Sequence, residues 1–162
     1  MQLCAAAGAN AIGVISDESK RDCVISLGAK GVINREEFKC WGQLPKVNTP
    51  EFNDWNKNAR TFGKVIWDIT GKKDVDIVFE HPGESTFPVS CLVVKRGGMV
   101  VFCAGTTGFN LTFDARYVWM RQKRITSRKS RRPIRKCGAT NTPLATWPCS
   151  HSGSRVCARS RT

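Results

Sequence analysis

No run of apolar residues approaches the roughly 18 needed to cross a bilayer, which excludes a membrane-spanning helix. Neither a CxxC pair nor an HExxH motif occurs, so the two most specific zinc signatures are missing. The start lacks a charged region followed by an apolar stretch and a small-residue cleavage site, and the cytoplasm is the expected compartment. Acidic residues are absent after Asp114. Residues 1–114 carry 13 basic and 13 acidic side chains, so the whole net charge of +13 belongs to residues 115–162. The chain is therefore not uniformly basic; a neutral body precedes a cationic tail.

Eight cysteines are present, but their irregular spacing gives no disulfide framework. Cys91 and Cys103 lie in apolar runs, where a thiol behaves as a small hydrophobe. Cys149, His151 and Cys157 read as a chance grouping in a Ser/Thr-rich tail rather than as metal ligands. A compact chain of 162 residues buries about 70% of its unfolded surface, enough for one core.

Period gives the elements. Residues 9–16 (ANAIGVIS) form a short apolar stretch suited to a buried parallel strand, and residues 19–27 read as a helix ended by Gly28. Residues 31–34 and 75–80 (VDIVFE) are further strands, the latter stopped by His81-Pro82-Gly83. A helix is predicted over 85–94, a turn at Arg96-Gly97-Gly98, a strand over 99–104 and a closing helix over 115–124. Between the second and third strands, Phe52, Trp55, Ala59, Phe62, Ile66 and Ile69 recur at spacings of 3, 4, 3, 4 and 3, which predicts one face of an amphipathic helix of about five turns. At this spacing Trp55 and Phe62 read as core. Strands alternating with helices predict an α/β fold with a mostly parallel, doubly wound sheet, and such sheets bind ligands outside the carboxyl ends of their strands.

That rule selects Ser16–Arg21, Asn34, His81–Gly83 and the run Ala104-Gly105-Thr106-Thr107-Gly108. In dinucleotide folds an acid after the second strand accepts the adenosine ribose, whereas a hydroxyl with basic residues suits a 2'-phosphate. Both chemistries are present: Asp17 is placed for the ribose, and Ser16, Lys20 and Arg21 for a phosphate. Asp17 and Glu18 equally suit a helix N-terminus, with Lys20 and Arg21 solvated. His81 follows an apolar strand that Pro82 cannot continue, so its ring is expected in the crevice. The glycine-rich run offers close backbone approach to the nicotinamide end of a ligand.

The runs Val75–Glu84 (VDIVFEHPGE), Cys40–Pro45 (CWGQLP) and Arg96–Phe109 (RGGMVVFCAGTTGF) closely resemble the crotonyl-CoA carboxylase/reductase family of the medium-chain dehydrogenase/reductase superfamily. The likeness covers about residues 2 to 125 and makes the Trp41 segment and the long helix an insertion of that branch. It implies a Rossmann-type domain over 1–125 holding NADPH, part of an enzyme that reduces an unsaturated acyl-CoA, crotonyl-CoA being the usual one, and fixes CO2 in the same step. It assigns Ser16, Lys20 and Arg21 to the 2'-phosphate, Asp17 to capping and His81 to the carboxylation pocket. Gly83, Ala104, Gly105 and Thr106 are the remaining cofactor-binding candidates, no metal is implied, and the intact enzyme is expected to be a homo-oligomer.

Two departures shape the expectation. The start reads as the middle of the first helix, so the first strand and its glycine-rich pyrophosphate turn are expected to be absent, with weak NADPH binding and poor cooperativity as the result. Residues 126–162 hold 9 basic and no acidic residues, and only 3 of 37 are Leu, Ile, Val or Phe. Such a segment buries too little to offset its ordering entropy, so it is expected to be disordered, and its abrupt onset resembles coding sequence read out of frame. The run Arg128–Lys136 could grip nucleic acid or anionic lipid, but it lacks interleaved aromatics to stack on bases, so no specific nucleic acid and no membrane is expected as a partner. A non-carboxylating enoyl or quinone reductase of the same superfamily is the other enzymatic reading.

Overall fold

A computed structural model describes residues 1–127 and, as backbone, Arg155–Ala158. In chain order the elements are α1 (Gln2–Ala6), β1 (Asn10–Ile15), α2 (Arg21–Ser26), β2 (Ala29–Asn34), α3 (Pro50–Thr70), β3 (Val75–Glu80), α4 (Phe87–Val93), β4 (Val94–Phe102), α5 (Ala115–Trp119), β5 (Arg124–Ser127) and β6 (Arg155–Ala158). They form one six-stranded sheet in the order β2-β1-β6-β3-β4-β5. The β1–β2, β3–β4 and β4–β5 pairs are parallel. This is the α/β, doubly wound arrangement expected from the alternation of elements.

The core follows the sequence pattern closely. In α3 the Thr49 hydroxyl accepts from the Phe52 N–H, Pro50 occupies the first turn, and Gly71 ends the helix in the left-handed region at φ 72°. Its stripe of Phe52, Trp55, Ala59, Phe62 and Ile66 is buried. Trp55 donates Nε1–H to the Cys40 carbonyl at 2.9 Å, and Phe38 and Trp41 each meet Phe62 edge-on with ring centroids 5.2 Å apart. Both the helix and the Trp41 loop before it are thus cemented by the same aromatic group. At roughly 2 kcal/mol for each large buried side chain, this stripe supplies a major share of the body's hydrophobic stabilisation.

Three expectations are corrected. The closing helix is only Ala115–Trp119, because Gln122 takes φ 51° and Lys123 turns inward, donating from Nζ to the Cys91 and Leu92 carbonyls at 2.8 and 2.9 Å. The chain then enters β5, Arg124–Ser127. β4 begins at Val94, with Gly97 at φ 71° as a bend inside the strand rather than a turn before it. Third, the tail is not wholly without structure. Arg155–Ala158 lies antiparallel between β1 and β3, in the position that the strand order 3-2-1-4-5-6 gives to a first strand. The inner edges of β1 and β3 present backbone donors and acceptors that must be paired once buried, and that demand outweighs the low apolar content of the tail. Residues 128–154, including the basic run and the Cys149-His151 part of the cysteine grouping, lie outside the described residues, as do 159–162. Cys4 is disulfide-bonded, whereas Cys23, Cys40, Cys91 and Cys103 are free.

Candidate functional site

The carboxyl ends of β1, β3 and β4 converge on one rim. At the end of β1, Asp17 accepts from the Ser19 N–H at 2.9 Å and from the Ser19 hydroxyl at 2.8 Å. These bonds, the backbone one foremost, lower its pKa. Asp17 is a cap, as the resemblance implied. Arg21 pairs with Glu18 through Nε and Nη2 and donates from Nη1 to the Val32 carbonyl at 3.0 Å. Glu18 also accepts from Asn34 at 3.3 Å. Arg21 is therefore engaged, and meeting a phosphate requires it to exchange Glu18. Lys20 makes no ion pair among the described residues, and Ser16, directly after β1, is half-buried.

At the end of β3 the residue that organises the rim is Glu80, which is fully buried. Its carboxyl oxygens accept from the Gly83 N–H at 3.1 Å, from the Thr86 hydroxyl at 2.6 Å and from the Ser90 hydroxyl. One side chain thus fixes both the His81-Pro82-Gly83 turn and the first turn of α4. Gly83 has φ +89°, and a Cβ there would lie 2.8 Å from the Gly108 carbonyl oxygen and 2.9 Å from the Gly105 Cα. The two strand-end loops are that close.

Thr107 pins them together. Its N–H and hydroxyl both reach the Pro82 carbonyl at 2.9 Å, and its hydroxyl oxygen accepts from the Ser85 N–H at 3.1 Å. Glu84 adds an acceptor for the Asn110 N–H at 3.4 Å, and Gly42 in the Trp41 loop donates its N–H to the Ser85 carbonyl at 2.7 Å. The insertion therefore props the outer side of the loop that carries His81. His81 itself is half-buried, and its Nδ1 is buried without a hydrogen-bond partner. A buried polar atom left unpaired on a rigid turn costs about 1–3 kcal/mol, a cost that a ligand at the rim would relieve. Ala104 and Gly105 are half-buried along the facing loop, and Thr106 is exposed.

The structure thus brings His81, Gly83, Ala104 and Gly105 to one rim and leaves Ser16, Lys20 and Arg21 at the end of β1. Sequence reasoning missed Glu80 and Thr107. The only local signal was a carboxyl group at the last position of an apolar strand, directly before His-Pro-Gly. Among the described residues no group of three His, Cys, Asp or Glu side chains could hold a metal ion. A cavity of about 1150 Å³ lies at the opposite, amino ends of the strands, lined by Lys30, Lys73, Lys95 and Arg96 among others. It is remote from this chemistry, and cations there complement the C-terminus of α3.

A family model described as zinc-binding dehydrogenase matches residues 1–135. A crotonyl-CoA carboxylase/reductase of Cereibacter sphaeroides is 75% identical over 126 residues, covering 77% of this chain and 29% of that protein. A solved crotonyl-CoA carboxylase/reductase superposes with a TM-score of 0.77 at 81% identity, covering 78% of this chain and 30% of the other. The crotonyl-CoA carboxylase/reductase AntE, solved in complex with NADP, gives a TM-score of 0.69 at 42% identity over 72% of this chain and 29% of its own. The chain spans less than a third of the length of these relatives.

Proposed function

Because the chain belongs to the zinc-binding dehydrogenase family, we propose that it is the NADPH-holding part of a reductive carboxylase of unsaturated acyl-CoA thioesters, converting crotonyl-CoA to ethylmalonyl-CoA. The observation that carries this reading is His81, whose Nδ1 is buried and unpaired on a turn fixed by Glu80 and Thr107.

In this reading Ser16 and Lys20 hold the 2'-phosphate, joined by Arg21 once it releases Glu18, while Gly83, Ala104, Gly105 and Thr106 lie along the nicotinamide end. When bound, NADPH supplies hydride to the β-carbon of the thioester, which leaves an enolate at the α-carbon. That enolate is quenched by a proton unless water is excluded and CO2 is held within reach. His81 supplies the hold, its Nδ1 being a buried polar atom on the rim with no protein partner to compete with CO2. Acyl-CoA and CO2 are the partners of the whole enzyme, a cytoplasmic homo-oligomer, and the 162-residue chain alone binds NADPH weakly and does not turn over. No described helix is long and apolar enough to cross a membrane.

The test is His81→Asn in a full-length enzyme carrying this segment, assayed with and without bicarbonate. The carboxylated product is expected to fall relative to the simply reduced one. An unchanged product ratio would overturn the role of His81, and no carboxylated product from the parent enzyme would favour the plain enoyl reductase.

A further inference from the structure

Three segments, 40–45, 81–86 and 104–112, meet at one side chain, the half-buried Glu84 that follows His81-Pro82-Gly83. One of its carboxyl oxygens accepts from the Gln43 side-chain amide, the other from the Asn110 N–H at 3.4 Å, and the Glu84 N–H donates to the Gly108 carbonyl at 3.3 Å. The carboxyl group lies over Gly108, in space that a Cβ at that position would fill. Its seat therefore requires glycine in the facing loop. Gln43 in turn belongs to a segment with its own anchor in the core. Cys40 is buried and takes the Trp55 Nε1–H on its carbonyl, and Trp41 donates Nε1–H to the Arg35 carbonyl at 2.6 Å while its ring meets Phe62. From that footing the segment reaches both strand-end loops, because the Gly42 N–H donates to the Ser85 carbonyl at 2.7 Å and the Leu44 N–H to the Thr112 hydroxyl oxygen at 3.1 Å. Glu84 is where all three are joined.

We propose that Glu84 is a positioning residue. It holds the loop of His81 and the loop of Ala104, Gly105 and Thr106 at a fixed separation against the 40–45 segment, and that spacing sets how an enolate divides between CO2 and a proton. This rests on the reading of the chain as part of a reductive carboxylase. Hydride delivery needs the cofactor and the β-carbon in line, and protonation of the resulting enolate needs only water. Capture of CO2 needs in addition that His81 stay within hydrogen-bond reach of it, and a misplacement of about 1 Å costs about a hundredfold in a step that depends on orientation. Loosening the junction therefore penalises carboxylation and spares reduction. The task calls for two acceptors facing different partners, which a carboxylate supplies without a donor to misplace. Glutamine can stand in for it because the Gln43 amide can turn over and offer its oxygen to the new amide group, leaving the other oxygen for Asn110.

The test uses a full-length enzyme carrying this segment, with crotonyl-CoA, NADPH and bicarbonate. It reads the ratio of carboxylated to reduced product beside kcat for NADPH oxidation and the KM for NADPH. Glu84→Ala is expected to lower the product ratio by about tenfold or more while kcat and KM stay within about threefold of the parent. Glu84→Gln is expected to keep the ratio within about threefold of the parent. Gln43→Ala, at an exposed residue, removes the tie to the 40–45 segment alone and is expected to lower the ratio by about threefold or more. A ratio within about twofold of the parent in Glu84→Ala overturns the proposal, as does a kcat that falls in proportion to the ratio, or a Glu84→Gln as impaired as Glu84→Ala. If Glu84→Ala does not fold, Gln43→Ala decides, and an unchanged ratio there overturns the proposal. In either case a ratio that still falls in His81→Asn leaves the carboxylase reading standing, whereas a parent that forms no carboxylated product overturns both.

Discussion

Removing the Glu80 carboxyl group should be among the most damaging single changes in the body. Glu80→Ala deletes three hydrogen bonds, to the Gly83 N–H, the Thr86 hydroxyl and the Ser90 hydroxyl, inside a fully buried site. The two hydroxyls can turn toward other acceptors, but the Gly83 N–H cannot, so at least one buried donor is orphaned at about 1–3 kcal/mol. A cavity of four heavy atoms adds to this, and the sum is about 3–5 kcal/mol against the roughly 5–15 kcal/mol that holds a typical domain folded. Glu80→Gln keeps the volume and one acceptor oxygen and should cost about 1–2 kcal/mol, because its amide must find hydroxyl oxygens willing to accept. Urea denaturation at matched slopes reads both values. A loss under about 1 kcal/mol for Glu80→Ala would refute the view that this carboxyl group fixes the His81 turn.

Glycine substitutions should have opposite signs at two positions. Gly83→Ala places a Cβ 2.8 Å from a backbone oxygen at φ +89° and should lower the melting temperature clearly, whereas Gly63→Ala, with open space in the middle of α3, should stabilise by about 0.5–1 kcal/mol. Burial lowers the pKa of Lys123 from 10.5 to about 8. The unfolded chain then binds the extra proton between these values, so stability relative to Lys123→Met should rise as pH goes from 8 to 10.5. A flat difference across that window would contradict it. Burial raises the thiols of Cys40 and Cys91 to about 12, so alkylation near neutral pH should label the exposed Cys23 and Cys103 first and reach the buried pair only on unfolding.

What could be read in advance was whatever is encoded by local period. The α3 stripe and the VDIVFE strand have the positions their spacing predicts, since each is set by one face meeting the core. Asp17 resolved to a cap because its partner, Ser19, is two residues away. Glu80 was missed although its partners lie 3, 6 and 10 residues on, because nothing in the sequence marks that carboxyl group as buried. The other misses are long-range: besides Glu18, Arg21 has a Val32 acceptor 11 residues distant, and the helix after Asp114 looked longer because Lys123 answers to carbonyls 31 and 32 residues before it. The role of Thr107 depends on a loop 25 residues away, and the pairing of the tail depends on strand edges that exist only once the sheet has formed.

The two threonines of Gly105-Thr106-Thr107-Gly108 carry the same side chain and opposite duties. A hydroxyl has one hydrogen to give and two lone pairs to receive with. Thr107 receives from the Ser85 N–H and turns its one hydrogen toward the Pro82 carbonyl and the Ser85 hydroxyl oxygen, so that hydrogen is committed before any ligand arrives. Thr106, one residue earlier and exposed, keeps its full capacity. A visitor at this rim meets a single available hydroxyl where the sequence displays a pair, and its orientation is set by an anchor it never touches.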